Sequence, residues 1–345
     1  MIRNCNQNVL PVSAPRRAVL RALGAGCAVA AMPALAQTTG RVRRIGFLAA
    51  RSRSTPSHPD VYYDAFVRGM REVGYEEGKN LLIEWRFAED RVERLPGLAA
   101  ELVALQVEVI VTHGLNAARM AKQATGSIPI VFASVSDPVG NGLIAHLAHP
   151  GGNLTGRSSM QIDALPKRFE LLRILIPKLS RVAFLFDSQT PQHVNFLKAA
   201  QASAASIGVK VVPAKADTKG DIERSFATMR KERIDAVLVP VHPLFIGLDY
   251  RHLISGLALQ HRVPSMYSSP QDVEAGGLMS FGPNVADIYR LAARHVDKIL
   301  KGAKPADLPV EQPTIFHLAI NRKTATALGL KIPPELILRA DEIIE

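Results

Sequence analysis

Arg44-Ile45-Gly46-Phe47-Leu48 and, much later in the chain, Arg181-Val182-Ala183-Phe184-Leu185 are short apolar runs with the same order of residue classes, and each opens the same series of patterns. After the first, Ile45–Ala49 reads as a strand, Tyr62–Val73 as a helix, Leu81–Trp85 as a strand and Val92–Leu105 as a helix. Val107–Thr112 follows as a strand, Ala117–Ala124 as a helix and Ile128–Ala133 as a strand. After the second, Arg181–Phe186, Lys210–Pro213, Ala236–Val239 and Pro264–Tyr267 read as strands. His193–Ile207, Ile222–Arg230 and Leu248–Gln260 read as the helices between them. Short β-branched strands alternating with amphipathic helices predict βαβ units and parallel sheets.

The pattern pauses at Pro150-Gly151-Gly152-Asn153 before it restarts, so the chain is expected to be two doubly wound α/β lobes. Beyond Gly276-Gly277 come a strand at Leu278–Ser280, a helix at Val285–Leu300, a Pro-rich stretch from Lys304 to Pro313, a strand at Ile315–Ile320 and a short helix near Lys323–Leu328. Three stretches then read as crossings between lobes: Asn153–Ser159, Ser280–Asn284 and Glu311–Ile315. The expected division is residues 41–155 with about 281–310 in lobe I, and 156–280 with about 314–345 in lobe II. Two such lobes leave a cleft between the carboxyl ends of their sheets, where open parallel sheets bind ligands.

Residues 1–36 read as a cleavable leader. Arg16-Arg17 lies in a basic segment, an apolar run follows from Ala22 to Met32, and Ala34-Leu35-Ala36 precedes Gln37. That is the layout of a secretory signal peptide, and the paired arginines followed by Val19-Leu20 resemble its twin-arginine form. The uncharged stretch, interrupted by Gly24, Gly26 and Pro33, is shorter than the roughly twenty residues a bilayer span needs. The leader holds four Arg and no acidic residue, so its loss lowers the formal charge from +11 to +7 and leaves 309 of 345 residues. It also holds both cysteines, Cys5 and Cys27, so the remaining chain has no thiol for a disulfide, a nucleophile or a metal. Cys27 has a second reading, as a lipoprotein cysteine. The positive surplus is spread along the chain with no basic, aromatic-interleaved stripe, which argues against nucleic acid.

Geometry nominates the loops leaving the strands' carboxyl ends as the ligand contacts. Ser52 lies in the polar loop Ala50–His58 after the first strand. Thr112, His113, Gly114 and Asn116 lie where a strand meets a helix start, whose unpaired N–H groups favour an anion. Ser134 and Asp137 end the fourth strand, with Asp137 as the partner for a ligand ammonium or, alternatively, the start of a turn at Pro138. Asp187, Ser188, His242 and Tyr267 hold the equivalent places in the second lobe. Asp187 and Ser188 also read as helix caps, His242 as a loop spacer, and Tyr267 either as a lid or as a core residue.

No Gly-x-Ser-x-Gly elbow, His-Glu-x-x-His or phosphate-binding Gly-x-x-x-x-Gly-Lys is present, so no catalytic residue is nominated and the chain is expected not to be an enzyme. His146 and His149 share a spacing suited to metal but have no acidic third ligand nearby in sequence, so neither a metal nor a cofactor is expected.

Many ordered blocks resemble a known family. They include Glu77-Gly78-Lys79-Asn80, Glu84-Trp85-Arg86-Phe87-Ala88-Glu89, Ile128-Pro129-Ile130-Val131-Phe132, Ser136-Asp137-Pro138-Val139-Gly140 and Pro150-Gly151-Gly152-Asn153-Leu154-Thr155-Gly156. Val273-Glu274-Ala275-Gly276-Gly277-Leu278-Met279-Ser280 and Asp307-Leu308-Pro309-Val310-Glu311-Gln312-Pro313-Thr314 belong with them. Together, from about Arg43 to Glu345, they resemble the solute-binding proteins of ABC importers, in the family that includes tryptophan- and tyrosine-binding lipoproteins. The resemblance implies a periplasmic-binding-protein type I-like fold. It also implies capture of a small solute, an amino acid among the candidates, for a permease and ATPase complex in the inner membrane. A monomer in the periplasm is the matching expectation. An exported α/β enzyme with its site in the same cleft, or a soluble sensory receptor, are the alternatives. One departure stands out: His113-Gly114-Leu115-Asn116-Ala117 replaces the Gly-Thr-Pro-Ala-Ala-like turn of that family.

Overall fold

β1 (Arg43–Ala49) sends alternate side chains to two faces of a sheet, Ile45, Phe47 and Ala49 to one and Leu48 to the other, and all four are fully buried. Burial on both faces is why this strand reads as a continuous apolar run. The structure, a computed structural model, describes residues 41–52, 60–188, 191–242, 245 and 247–345. The leader reading, and Ser54, Thr55, Ser57 and His58 of the first polar loop, lie outside the described residues.

Chain order continues with α1 (Val61–Glu72), β2 (Leu81–Phe87), α2 (Leu95–Ala104), β3 (Val109–His113), α3 (Gly114–Ala124), β4 (Ile130–Val135) and β5 (Leu154–Ser158). The five strands form a parallel sheet in the order β2-β1-β3-β4-β5. Leu95, Leu102, Leu115 and Ala118 of α2 and α3 cover the Leu48 face.

The second series is α4 (Leu165–Leu175), β6 (Arg181–Phe186), α5 (Pro191–Ala205), β7 (Lys210–Lys215), α6 (Lys219–Met229), β8 (Ala236–Leu238), α7 (Leu248–Gln260) and β9 (Ser265–Tyr267). It ends with α8 (Pro270–Glu274), β10 (Met279–Pro283), α9 (Val285–Leu300), β11 (Phe316–Asn321), α10 (Arg322–Leu328), α11 (Pro334–Arg339) and β12 (Glu342–Ile344). Its seven-stranded sheet runs β12-β11-β10-β9-β8-β6-β7. Val182 and Phe184 of β6 face one core, Ala183 and Leu185 the other.

The fold is therefore α/β with two lobes, each built on its own largely parallel sheet. β11 departs from the all-parallel expectation, for it pairs antiparallel with β10. The reason is the chain's route. After β10 it leaves the second sheet and forms α9, which packs with α1 against Phe47, Val111 and Val131 of the first sheet. It then re-enters the second sheet at the end where β10 left it, Phe316 lying opposite Pro283, so β11 runs back along β10. α1 and α9 approach so closely that a Cβ on Gly69 would collide with the carbonyl oxygen of Arg290. On the return, Glu311 pairs with β5 through a backbone bridge and an Arg157 ion pair, while Thr155 Oγ1 donates to Leu308 O at 2.8 Å.

Both sheets reverse their winding at an interior strand pair, the first between β1 and β3 and the second between β6 and β8. The crevice outside the carboxyl ends of such a pair is where open α/β sheets bind ligands.

Candidate functional site

A cleft of about 300 Å³ lies between the lobes, and it joins the two reversal points. Ala50 after β1 and His113-Gly114-Leu115-Asn116 at the β3–α3 junction line it from lobe I, with Asp187 after β6 and Val241-His242 after β8 facing from lobe II. Tyr62, Asp90, Val92, Ser134 and Val285 complete the first wall. Ser159, Gln161, Gln192, Phe196 and Asp217 complete the second.

On the first wall, Gly114 opens α3 with φ +73, a left-handed conformation in which glycine avoids the Cβ penalty. Among the described residues no side chain caps this helix, so the N–H groups of its first turn, from Gly114 to Asn116, have no side-chain acceptor there. His113, the residue before it, is buried with its ring against Tyr63 and Tyr289. Burial, and then the Arg51 cation, push its pKa well below the usual imidazole value, so the ring is neutral. Its Nδ1 has no hydrogen-bond partner among the described residues. Uncapped N–H groups and the positive end of a helix dipole, here beside a neutral imidazole, are features that favour an anion.

Aromatic surface stands next to it. Asp60 caps α1, its Oδ1 accepting the Tyr62 N–H at 2.9 Å and the Tyr63 N–H at 3.3 Å, which fixes where both rings leave the backbone. Arg51 pairs with the same carboxylate and lies 5.4 and 5.2 Å from the Tyr62 and Tyr63 ring centres. Tyr62 stacks on Tyr289 at 5.5 Å.

The second wall is acidic and histidine-rich. Asp187 Oδ2 lies 3.1 Å from His242 Nε2, and His242 packs edge-on against His193 at 4.4 Å. His193 Nδ1 accepts the Asp187 N–H at 3.1 Å, so its proton sits on Nε2 and is donated to Val241 O at 3.2 Å. Burial, followed by the neighbouring His242, lowers the His193 pKa to about 3 and keeps the ring neutral. Asp217 accepts both the N–H and the hydroxyl of Ser188, each at 2.7 Å. Gln161 is oriented from behind: Arg168 Nη2 donates to its Oε1 at 2.6 Å and Arg168 Nε to Phe281 O at 2.8 Å. Arginine can only donate, so the amide nitrogen of Gln161 points away from Arg168.

Of the residues nominated from sequence, His113, Gly114, Asn116, Ser134, Asp187 and His242 lie on the cleft wall. Ser52 is exposed and donates to Asp90 Oδ2 at 3.2 Å, one residue back from the wall. Thr112 is fully buried in β3, and Ser188 supports Asp217. Two readings are corrected. Asp137 is exposed and outside the cleft lining: its Oδ1 accepts the Gly140 N–H at 2.8 Å in a local turn, with φ +47 at Asp137 itself. Tyr267 is no lid, because it is 2% exposed within the core of the second lobe. Tyr62, Asp90, Gln161, Gln192, Phe196, Asp217 and Val285 are on the wall and were not nominated. The helix starts at Tyr62 and Val285 were the available signal for two of them. Among the described residues no group of three metal-ligating side chains comes together.

A family model described as ABC transporter substrate binding protein matches residues 54–344. A tyrosine-binding protein of Clostridioides difficile is 25% identical over 277 residues, which is 79% of each chain. Among solved structures, a conserved domain protein from Vibrio cholerae overlays with TM-score 0.81 at 26% identity, covering 88% of this chain and 100% of that one. A domain from Streptococcus pneumoniae in complex with L-Trp overlays with TM-score 0.79 at 27% identity, over 88% and 99%. The ligand-free, open structure of a substrate binding protein from Clostridium difficile overlays with TM-score 0.65 at 25% identity, over the same shares.

Proposed function

The chain belongs to the ABC transporter substrate-binding protein family, and from that premise we propose that it captures an α-amino acid with an apolar, preferably aromatic, side chain between its lobes. The observation that carries this reading is the pair of opposite chemistries on facing walls. The uncapped start of α3 stands on lobe I and the Asp187 carboxylate on lobe II, both at reversal points of their sheets. A zwitterion laid across the cleft puts its carboxylate on the N–H groups of Gly114–Asn116 and its ammonium on Asp187. A carboxylate has about four acceptor positions, so Asp187 accepts from the ligand while keeping His242. The side chain then lies among Tyr62, Phe196 and Val285, and a cleft of about 300 Å³ suits a ligand of this size. The relatives named for tyrosine and bound to L-Trp support the aromatic preference.

The ligand touches both walls only when the lobes are shut, so binding shifts the population toward the closed form. In this reading the closed form is what a membrane permease and its ATPase recognise, outside the cytoplasm after removal of residues 1–36, and no bond is made or broken. Among the described residues no helix is long and apolar enough to cross a membrane.

A thermal-shift screen of L-amino acids, sugars and nucleosides tests the reading. At a hundredfold excess over Kd a true ligand adds about 2.7 kcal/mol, which raises Tm on the order of 5 °C for a chain of this size. L-Tryptophan or L-tyrosine is expected to give that shift. A shift with a sugar or nucleoside and with no amino acid rejects it.

A further inference from the structure

Beyond the residues that face the solute, one side chain reaches from lobe II into the wall of lobe I. Arg251, on α7, lies with its Nη2 3.2 Å from the hydroxyl of Tyr62, to which it donates. Tyr62 belongs to the first turn of α1, is 4% exposed, and lines the cleft. Its ring is already held on two sides, by Tyr289 at 5.5 Å and by the Arg51 guanidinium. Arg251 is equally constrained from its own lobe: its Nε lies 2.9 Å from Oδ1 of the buried Asp272 on α8. Ser255, one turn further along α7, donates to Ala275 O at 2.7 Å, so α7 and the end of α8 are joined and the arginine's base is fixed. Nothing in the cleft chemistry above requires this arginine. A long cation tethered in one lobe and spent on a neutral hydroxyl of the other is a contact that exists only while the lobes are together.

We propose that Arg251, anchored by Asp272, is a positioning residue that latches lobe II onto Tyr62, so that closing the lobes and fixing the aromatic wall of the solute site are one event. This rests on reading the cleft as a solute site, but the latch itself is measurable with no solute present. Opening the lobes breaks the Arg251–Tyr62 bond and frees the Tyr62 hydroxyl. Closing restores the bond and presents the ring in its stacked position. The latch therefore acts on how long a captured solute stays, with little effect on how fast it arrives, since most affinity differences among variants of one site appear in the dissociation rate.

The test uses the full chain with Cys5→Ser and Cys27→Ser, and spin labels on Arg68→Cys of α1 and Gln260→Cys of α7, both exposed positions. Distances between the labels are measured without solute, and L-tryptophan is the probe for stopped-flow dissociation. Tyr62→Phe removes the hydroxyl and keeps the ring; Arg251→Met removes the cation. Each is expected to move the distance distribution toward longer separations and to raise the L-tryptophan dissociation rate roughly tenfold, as loss of one bond to a charged group does, with association within about twofold. The double variant is expected to be no worse than Arg251→Met alone, because without the arginine the Tyr62 hydroxyl has no latch bond left to lose. An unchanged distance distribution in Tyr62→Phe overturns the latch whatever the dissociation rate, as do effects that multiply in the double variant. Failure of L-tryptophan to bind the unmodified chain would reject the amino-acid reading alone, with the distance measurement still deciding the latch.

Discussion

Replacing Asp187 by Asn separates the two ends of the proposed ligand. The substitution keeps the size of the side chain and an oxygen for His242 Nε2, now 3.1 Å from the carboxylate, while removing the negative charge from the lobe II wall. A hydrogen bond to a charged group contributes about 1.5–3 kcal/mol, and 1.4 kcal/mol is a factor of ten, so affinity for L-tryptophan falls roughly ten- to a hundredfold. Indole-3-propionate keeps the ring and the carboxylate and lacks the ammonium. Its affinity changes by less than about twofold or rises, because the variant no longer sets a carboxylate where the analogue has no cation. Asp137→Asn serves as the comparison, since that carboxylate is occupied by the Gly140 N–H outside the cleft and its loss leaves both ligands bound as before. Isothermal titration calorimetry of the three proteins against the two ligands reads all six affinities. Equal weakening of both ligands by Asp187→Asn, or a tenfold loss in Asp137→Asn, refutes the assignment of the ammonium to Asp187.

Gly114→Val puts a β-branched residue at φ +73, so it is expected to lower stability by about 1–2 kcal/mol in denaturant titrations and to weaken L-tryptophan at least tenfold by obstructing the N–H groups beside it. Gly69→Ala, whose Cβ would meet Arg290 O, forces α1 and α9 apart, and calorimetric melting should show a loss of about 1–3 kcal/mol. His193, held neutral with a pKa of about 3 against 6.5 when unfolded, leaves the unfolded chain with the extra proton between those values, so stability falls as pH drops through that window. From pH 7 to 5 that amounts to about 2 kcal/mol, and His193→Gln should remove it from the pH dependence. Asp272, raised by burial to about 6, has the opposite sign: the folded chain holds its proton between about 4 and 6 and gains stability as pH falls there, a gain that Asp272→Asn abolishes. N-terminal sequencing of exported protein is expected to start at Gln37, and lysines at Arg16 and Arg17 are expected to block export by a twin-arginine route but not by the general one.

The strand–helix alternation was legible because buried parallel strands are runs of β-branched and aromatic residues, as Ile130-Val131-Phe132 shows. β5 was not read as a strand. Thr155, Arg157 and Ser158 lie in a stretch that reads as a crossing between lobes, yet all are buried, because β4 pairs with one side of this strand while Leu308 accepts from the Thr155 hydroxyl and Glu311 pairs with Arg157 on the other. α4 was missed as well, since its buried face includes Arg168, a charge that interrupts the apolar stripe and only the folded chain explains, through Gln161 and Phe281. For the site, position at a strand's carboxyl end led to His113, Gly114, Ser134, Asp187 and His242. It did not separate these from Asp137, whose side chain turned back on its own loop. Tyr62 and Arg251 meet across the lobes, and Gln161 and Phe196 reach the cleft wall only through the packing of lobe II; no local pattern carries that information.

The measurement that bears most directly on the account is a crystal structure of the protein with the L-amino acid that gives the largest melting shift. The expected result is a single ligand in the cleft, its carboxylate within hydrogen-bond distance of the N–H groups of Gly114–Asn116, its ammonium on Asp187, and Arg251 still bonded to Tyr62. A ligand seated with its ends reversed, or bound outside the cleft, would contradict it.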